Sequence, residues 1–156
     1  MLAVVSRDDP WFGYACTVVE IVRLGEVNLT VRAAPPAEVG VWPWPAPPPV
    51  FVLTAWDPGD ERFDLETNQA RQVALDAELR GCAQNSWAAR GTNPESGYRD
   101  EGVAVVGVDE QKVLELGARY GQDAVFAWSP AEWAIVSCDG ARRLSLGWRV
   151  SSSPAR

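Results

Sequence analysis

The sequence predicts an α+β domain, an antiparallel sheet with helices mainly on one face. From Val50 onward the chain reads strand, helix, strand, strand, helix, strand, strand. The first six of these elements match the βαββαβ core of ferredoxin-like folds. Each helical stretch follows an aspartate and stops at a glycine, which are the residues that satisfy free helix ends. The runs at 50–56 and 102–108 are nearly continuous in apolar residues, as in strands covered on both faces.

Taken in order, Asp9-Pro10-Trp11 opens a helix, with aspartate as N-cap and proline at the first helical position. Trp11, Tyr14, Val18, Ile21 and Val22 recur at helical spacing, so the helix is expected over 9–24, ending at Gly25. Residues 27–31 alternate apolar and polar, as a half-buried strand does. These two elements are expected to extend the core.

Residues 34–49 hold seven prolines, with Trp42 and Trp44 among them. Proline blocks helices and strand ladders alike, so an extended arm is expected. Its tryptophans either cover an edge of the core or present a docking segment to a protein partner.

Residues 50–56 form a central strand, and Asp57-Pro58-Gly59-Asp60 has turn composition. Asp64 caps a helix running to Arg80. Short strand 86–90, loop 93–97 and buried strand 102–108 follow. Asp109 then caps a helix through Tyr120, and 124–128 with 133–137 make a hairpin around Ser129-Pro130-Ala131-Glu132. A single domain is expected over 1–140. Residues 141–156, rich in arginine, are expected as a basic and partly flexible tail.

Composition narrows the chemistry further. The chain has 156 residues and no histidine, and Lys112 is its only lysine. Imidazole-based triads, imidazole metal ligands and a phosphate-loop lysine are therefore excluded. A formal charge of −7 disfavours nucleic acid, because a phosphate footprint needs positive charge. No apolar stretch is long enough to span a bilayer. The first residues do not read as a secretory signal, so a cytoplasmic protein is expected. Cys16, Cys82 and Cys138 are widely spaced and odd in number, which suits free thiols rather than a disulfide framework or a thiolate metal site. No metal site is predicted.

Two strand mouths carry the candidate residues. Asp57 lies at the end of one apolar strand, beside the helix that presents Asn68 and Arg71. Arg71 either clamps an anionic ligand with its planar fork or pairs with Asp57. Arg99, Asp100 and Glu101 precede the buried strand, and adjacent strand residues face opposite ways. Glu101 is either the pocket acid, a candidate base, or part of a polar edge paired with Arg71 or Arg90. Gln122 follows a helix stop, where its amide either reads a ligand edge or satisfies open backbone.

The segments Thr54-Ala55-Trp56-Asp57-Pro58, Glu66-Thr67-Asn68-Gln69-Ala70-Arg71 and Gly121-Gln122-Asp123-Ala124-Val125-Phe126 resemble the bacterial domain-of-unknown-function family DUF3293. The resemblance covers about residues 50–138, and its Gln122 segment is the most specific part. It departs at Asp57, where asparagine is expected, and at Gly102, where a small hydroxyl residue often follows the acid. The resemblance implies Asn68, Arg71, Glu101 and Gln122 as shared positions, and no reaction.

The leading expectation is a non-catalytic binding or regulatory module. Its pocket would be lined by Asp57, Asn68, Arg71, Glu101 and Gln122 and would take a small anionic or amide-bearing ligand. One alternative is a hydrolase or transferase with Glu101 or Asp57 as base, Arg71 as anion clamp and, in one version, a divalent metal. The other is a protein-interaction module acting through Trp42 and Trp44.

Overall fold

Five of the six residues from Thr17 to Val22 are β-branched, and such side chains lose rotamer freedom in a helix. The computed structural model describes residues 5–43 and 47–155, and in it the helix expected over 9–24 ends early. Helix α1 spans only Phe12–Cys16, and strand β1 follows at Val18–Leu24. Gly25, with φ of +64°, is the first residue of the tight turn into β2 (Val27–Ala34) rather than a helix stop. Strand β3 is Val50–Leu53 and helix α2 is Leu65–Arg80. They are followed by β4 (Asn85–Thr92), β5 (Arg99–Val106), α3 (Glu110–Arg119), β6 (Ala124–Ser129), β7 (Glu132–Ser137) and β8 (Arg143–Pro154).

The expected ferredoxin-like open sheet is not formed. Among the described residues, eight antiparallel strands close into a barrel in the order β1-β2-β8-β7-β6-β3-β5-β4, and β1 pairs with β4 to complete the ring. The correction has a plain cause. Strands β6, β3, β5 and β4 are consecutive in the ring, but β1, β2, β7 and β8 carry the sheet round until its ends meet. A sheet closed in this way packs one face against itself.

Residues 143–154, expected within a tail, form the longest strand, bonded to β2 along one side and β7 along the other. Leu144, Leu146 and Trp148 alternate along it. That period-two signal marks a strand with one face inward.

Alternation also sorts the core into two layers. Val50, Val52, Ala104, Trp128, Trp133 and Trp148 point into the barrel. Phe51, Leu53, Val103, Val105, Val125 and Val136 point outward, beneath Leu75 and Leu79 of α2 and Val113 and Leu116 of α3. The two helices thus lie outside the barrel, over one side of it. Asp64 caps α2 through the Thr67 amide at 2.7 Å, and Asp109 caps α3 through the Lys112 amide at 2.9 Å.

One end of the barrel is filled with tryptophan. Trp128, Trp133 and Trp148 are fully buried, and each large apolar side chain so buried contributes about 1.5–3 kcal/mol. Trp42 of the proline-rich arm packs on this cluster, 4.6 Å from the Trp128 ring centre and 6.1 Å from Trp148. Trp44 lies outside the described residues. The arm crosses β8 so closely that a Cβ on Gly147 would sit 2.2 Å from the carbonyl oxygens of Pro35 and Glu38. The opposite end of the barrel is open and carries the candidate site.

Candidate ligand pocket at the barrel mouth

Beyond Leu53 the β3 chain leaves its strand partners, and a buried backbone without partners must find them elsewhere. Side chains supply them, one after another. The Ala55 amide donates to Gln72 Oε1 at 2.9 Å, and its carbonyl accepts from Arg71 Nε at 2.8 Å. The Trp56 amide donates to Thr54 Oγ1 at 3.1 Å, and its carbonyl accepts from Gln122 Nε2 at 2.9 Å. The Asp57 amide donates to Asn68 Oδ1 at 3.0 Å.

Asp57 has φ of +42°, a left-handed conformation that aspartate and asparagine tolerate better than most residues. Its carboxylate gathers the next layer of bonds. Oδ1 accepts from the Phe63 amide at 2.8 Å and Asn68 Nδ2 at 3.0 Å, and Oδ2 accepts from Tyr98 Oη at 2.7 Å. Burial pushes the Asp57 pKa upward, but donation from Tyr98, Asn68 and the Phe63 amide, with the charge of Arg62, leaves it below its ordinary value. Arg71 also donates to the Tyr120 carbonyl and lies 5.3 Å from the Phe63 ring centre. Gly121, at φ of +76°, has no room for a side chain, since a Cβ would stand 2.6 Å from Pro58 Cβ.

These bonds frame a cavity of about 480 Å³. Val19, Val52, Ala89, Phe126 and Ile135 form its apolar floor inside the barrel. Trp11, Gly13 and Tyr14 of the α1 region cover one side, and the loops carrying Asp57, Asp60, Arg62, Asn93 and Tyr98 cover the others. The half-buried Asp100 of β5 is also in its lining. Burial lifts its pKa to about 7, with the charges of Asp57 and Glu101 adding to the rise and the Gly91 amide opposing it. Gly91 also makes space, because a Cβ there would lie 2.6 Å from Asp100 Oδ1. Burial, followed by the charges of Asp123 and other acids, raises the Tyr14 phenol to about 12. Burial and the bond to Asp57 raise Tyr98 as well.

The five residues expected at the site divide. Asp57 and Gln122 line the cavity. Asn68 and Arg71 stand behind its wall, where they hold backbone. Glu101 is on the outer face of β5, 3.6 Å from Arg90 Nε. The expected Asp57–Arg71 ion pair gives way to Asn68, Phe63 and Tyr98 around Asp57 and to two carbonyls around Arg71. Asp100, the neighbour of Glu101, takes the inward position with Gly102 and Ala104. Both faces of β5 are covered, so its apolar run does not reveal which alternate set faces inward. Gly91, opposite Asp100, is the available sign of space for the carboxylate, while Gly102 admits the Leu53 carbonyl, 2.7 Å from where its Cβ would stand.

Tyr14, Asn93 and Tyr98 escape sequence reasoning because they come from α1 and the β4–β5 turn, far from the strand mouths. Among the described residues no group of three cysteine, aspartate or glutamate side chains is placed to hold a metal ion. The described residues also contain no helix long and apolar enough to cross a membrane.

The three interlocking segments 54–58, 66–71 and 121–126 are those that carry the family resemblance. Residues 53–125 match the family model described as Protein of unknown function (DUF3293). No curated protein and no solved structure matches the chain. The DUF3293 match runs from the last residue of β3 through α2, β4, β5 and α3 to the start of β6, and thus holds Asp57, Asn68, Arg71, Tyr98, Asp100 and Gln122. The floor residues Val19, Phe126 and Ile135 and the covering α1 lie outside it.

Proposed function

We propose that the protein is a non-catalytic binding module that holds a small ligand in the cavity at the barrel mouth. The observation that carries this reading is the cavity itself, with its apolar floor inside the barrel and polar rim supplied by loops. That combination is typical of small-molecule sites. An anionic ligand loses its support, because Arg71 is spent on two carbonyls and acidic side chains outnumber the single arginine at the rim. Of the enzymatic alternative, Asp57 stays in the cavity lining, whereas Glu101 faces away and Arg71 is held by two backbone carbonyls. Trp42 is committed to the closed end of the barrel, which leaves the docking reading without that residue. The free thiols of Cys16, Cys82 and Cys138 suit a reducing compartment, in keeping with a cytoplasmic protein.

Gly13 lines the cavity, and the first carbon of a side chain there would meet only Asn93 Nδ2, at 3.8 Å. Gly13→Leu is expected to fold while occluding the space. In a thermal-shift screen of small metabolites, a cavity ligand should raise the wild-type midpoint and leave Gly13→Leu unmoved. A ligand that protects both proteins equally would place binding elsewhere.

A further inference from the structure

We propose that the cavity takes a small organic cation, a protonated amine on an apolar or aromatic body, with its charge against the Asp100 carboxylate. The inference rests on the cavity reading above and names the ligand class. The acids around the cavity differ in the partners they already hold. Asp57 accepts three hydrogen bonds, from the Phe63 amide, Asn68 of α2 and Tyr98, so its lone pairs are largely committed. Glu101 has Arg90 outside the barrel. Asp100 receives the Gly91 amide and forms no ion pair among the described residues. An inward carboxylate with one donor has capacity for more, because an ionised carboxylate offers about four acceptor sites.

The surroundings of Asp100 select the sign of the charge. Tyr14 faces it from α1, Asp57, Asp60 and Arg62 from the loop after β3, and Tyr98 from the β4–β5 turn. Glu101 adjoins it on β5, and Asp123 stands before β6. The one arginine in this set, Arg62, has its guanidinium 5.0 Å from the Tyr98 ring centre. A bound anion would meet four carboxylates at the cavity. A neutral ligand would leave Asp100 charged and poorly solvated above pH 7. An ammonium group donates to Asp100 and offsets the neighbouring charges.

The size of the space requires that the charge be carried on a larger body. About 480 Å³ exceeds what a bare ammonium fills, and the floor of Val52, Ala89, Phe126 and Ile135 is apolar. Trp11 and Tyr14 add aromatic surface beside it, suited to a ring or to the cationic group itself.

Benzylamine, benzyl alcohol and benzoate share one body and differ in charge, so they test the class directly. Calorimetric titration of the full chain at pH 8 should show benzylamine binding at least about tenfold more tightly than either of the others. Asp100→Asn should abolish that preference while keeping the affinity for benzyl alcohol. The wild-type preference should also shrink between pH 8 and pH 5, as Asp100 takes up a proton and the amine stays charged. This second measurement decides the matter if Asp100→Asn fails to fold. Benzoate binding as tightly as benzylamine, or a preference that survives Asp100→Asn or stays constant with pH, overturns the proposal. Binding of benzyl alcohol with no amine preference removes this proposal and leaves the cavity reading standing. Failure of all three probes to bind removes both.

Discussion

Asp100 and Asp57 show how one residue type acquires opposite properties from its immediate neighbours. Asp57 is surrounded by donors and held ionised. Asp100 is half-buried with one donor, and its desolvation raises the pKa from 3.8 to about 7. The folded protein therefore keeps a proton there that the unfolded chain has already released between those two values. Stability must fall as pH rises from about 4 to about 7, and the loss is complete above that window. Asp100→Asn cannot ionise and escapes the loss. Urea midpoints should be similar for variant and wild type near pH 4, and the variant should be more stable at pH 8. The expected gain is about 2 kcal/mol, below the roughly 4 kcal/mol that full linkage over about three units would give, because the group keeps some contact with solvent. A variant less stable than wild type at pH 8 would contradict this account. Destabilising charge kept at a cavity is a common mark of a functional position.

Among the elements, the segment from Thr54 to Asp57 is the unusual one, since side chains replace the neighbouring strand. Asn68 sits at its centre, 3 % exposed, and bonds to the Asp57 amide, the Asp57 carboxylate and the Phe63 carbonyl at 3.0, 3.0 and 3.3 Å. Asn68→Ala would leave the amide and carbonyl buried without partners. A loss of roughly 2–4 kcal/mol in denaturant unfolding is expected, with faster exchange at the Asp57 amide. A loss near zero would mean that water replaces the side chain. Asp64 and Asp109 announce α2 and α3 because a cap bonds to an amide three residues away. The β-branched run Thr17 to Val22 conflicts with its helical spacing, and the conflict is resolved by pairing with β2 and β4, which no local pattern contains. Leu144, Leu146 and Trp148 carry the alternation of a strand, obscured by arginines on the outer face. At the site, Asn68, Arg71 and Gln122 are legible as polar residues near strand mouths. Their use in holding backbone becomes visible only with the path of residues 54–57. The inward side of β5 depends on closure of the whole sheet, so local reasoning favours Glu101 where the fold uses Asp100.

At the scale of the whole molecule, the barrel is plugged at one end by tryptophans and covered at the other by α1, whose entry is tied across the fold by an ion pair. Arg142, in the turn before β8, donates to both carboxylate oxygens of Asp9 at 2.9 and 2.7 Å, with its guanidinium 4.3 Å from the Trp11 ring centre. Hydrogen bonding from Arg142 and then from the Trp11 amide lowers Asp9 from 3.8 to about 2. A depressed carboxylate pKa stabilises the fold above the ordinary value, and that contribution is lost as pH falls through the depressed one. Arg142→Ala should therefore lower the thermal midpoint at pH 7, and its difference from wild type should shrink as pH falls from about 4 to 2. A difference that is constant across this range would assign the contact to packing on Trp11 instead.

The seam between β1 and β4 has a consequence of another kind. Its outer face is laced by Arg90, which lies 3.3 Å from Glu20 and 3.6 Å from Glu101. With the seam shut, every strand among the described residues has a neighbour on each side, so the ring offers no open edge of amides and carbonyls to another molecule. Were it to part, β1 and β4 would be exposed together as two unprotected edges, each a template for strand addition between chains. Closing this seam thus shields the chain from intermolecular β-assembly as well as shaping the pocket.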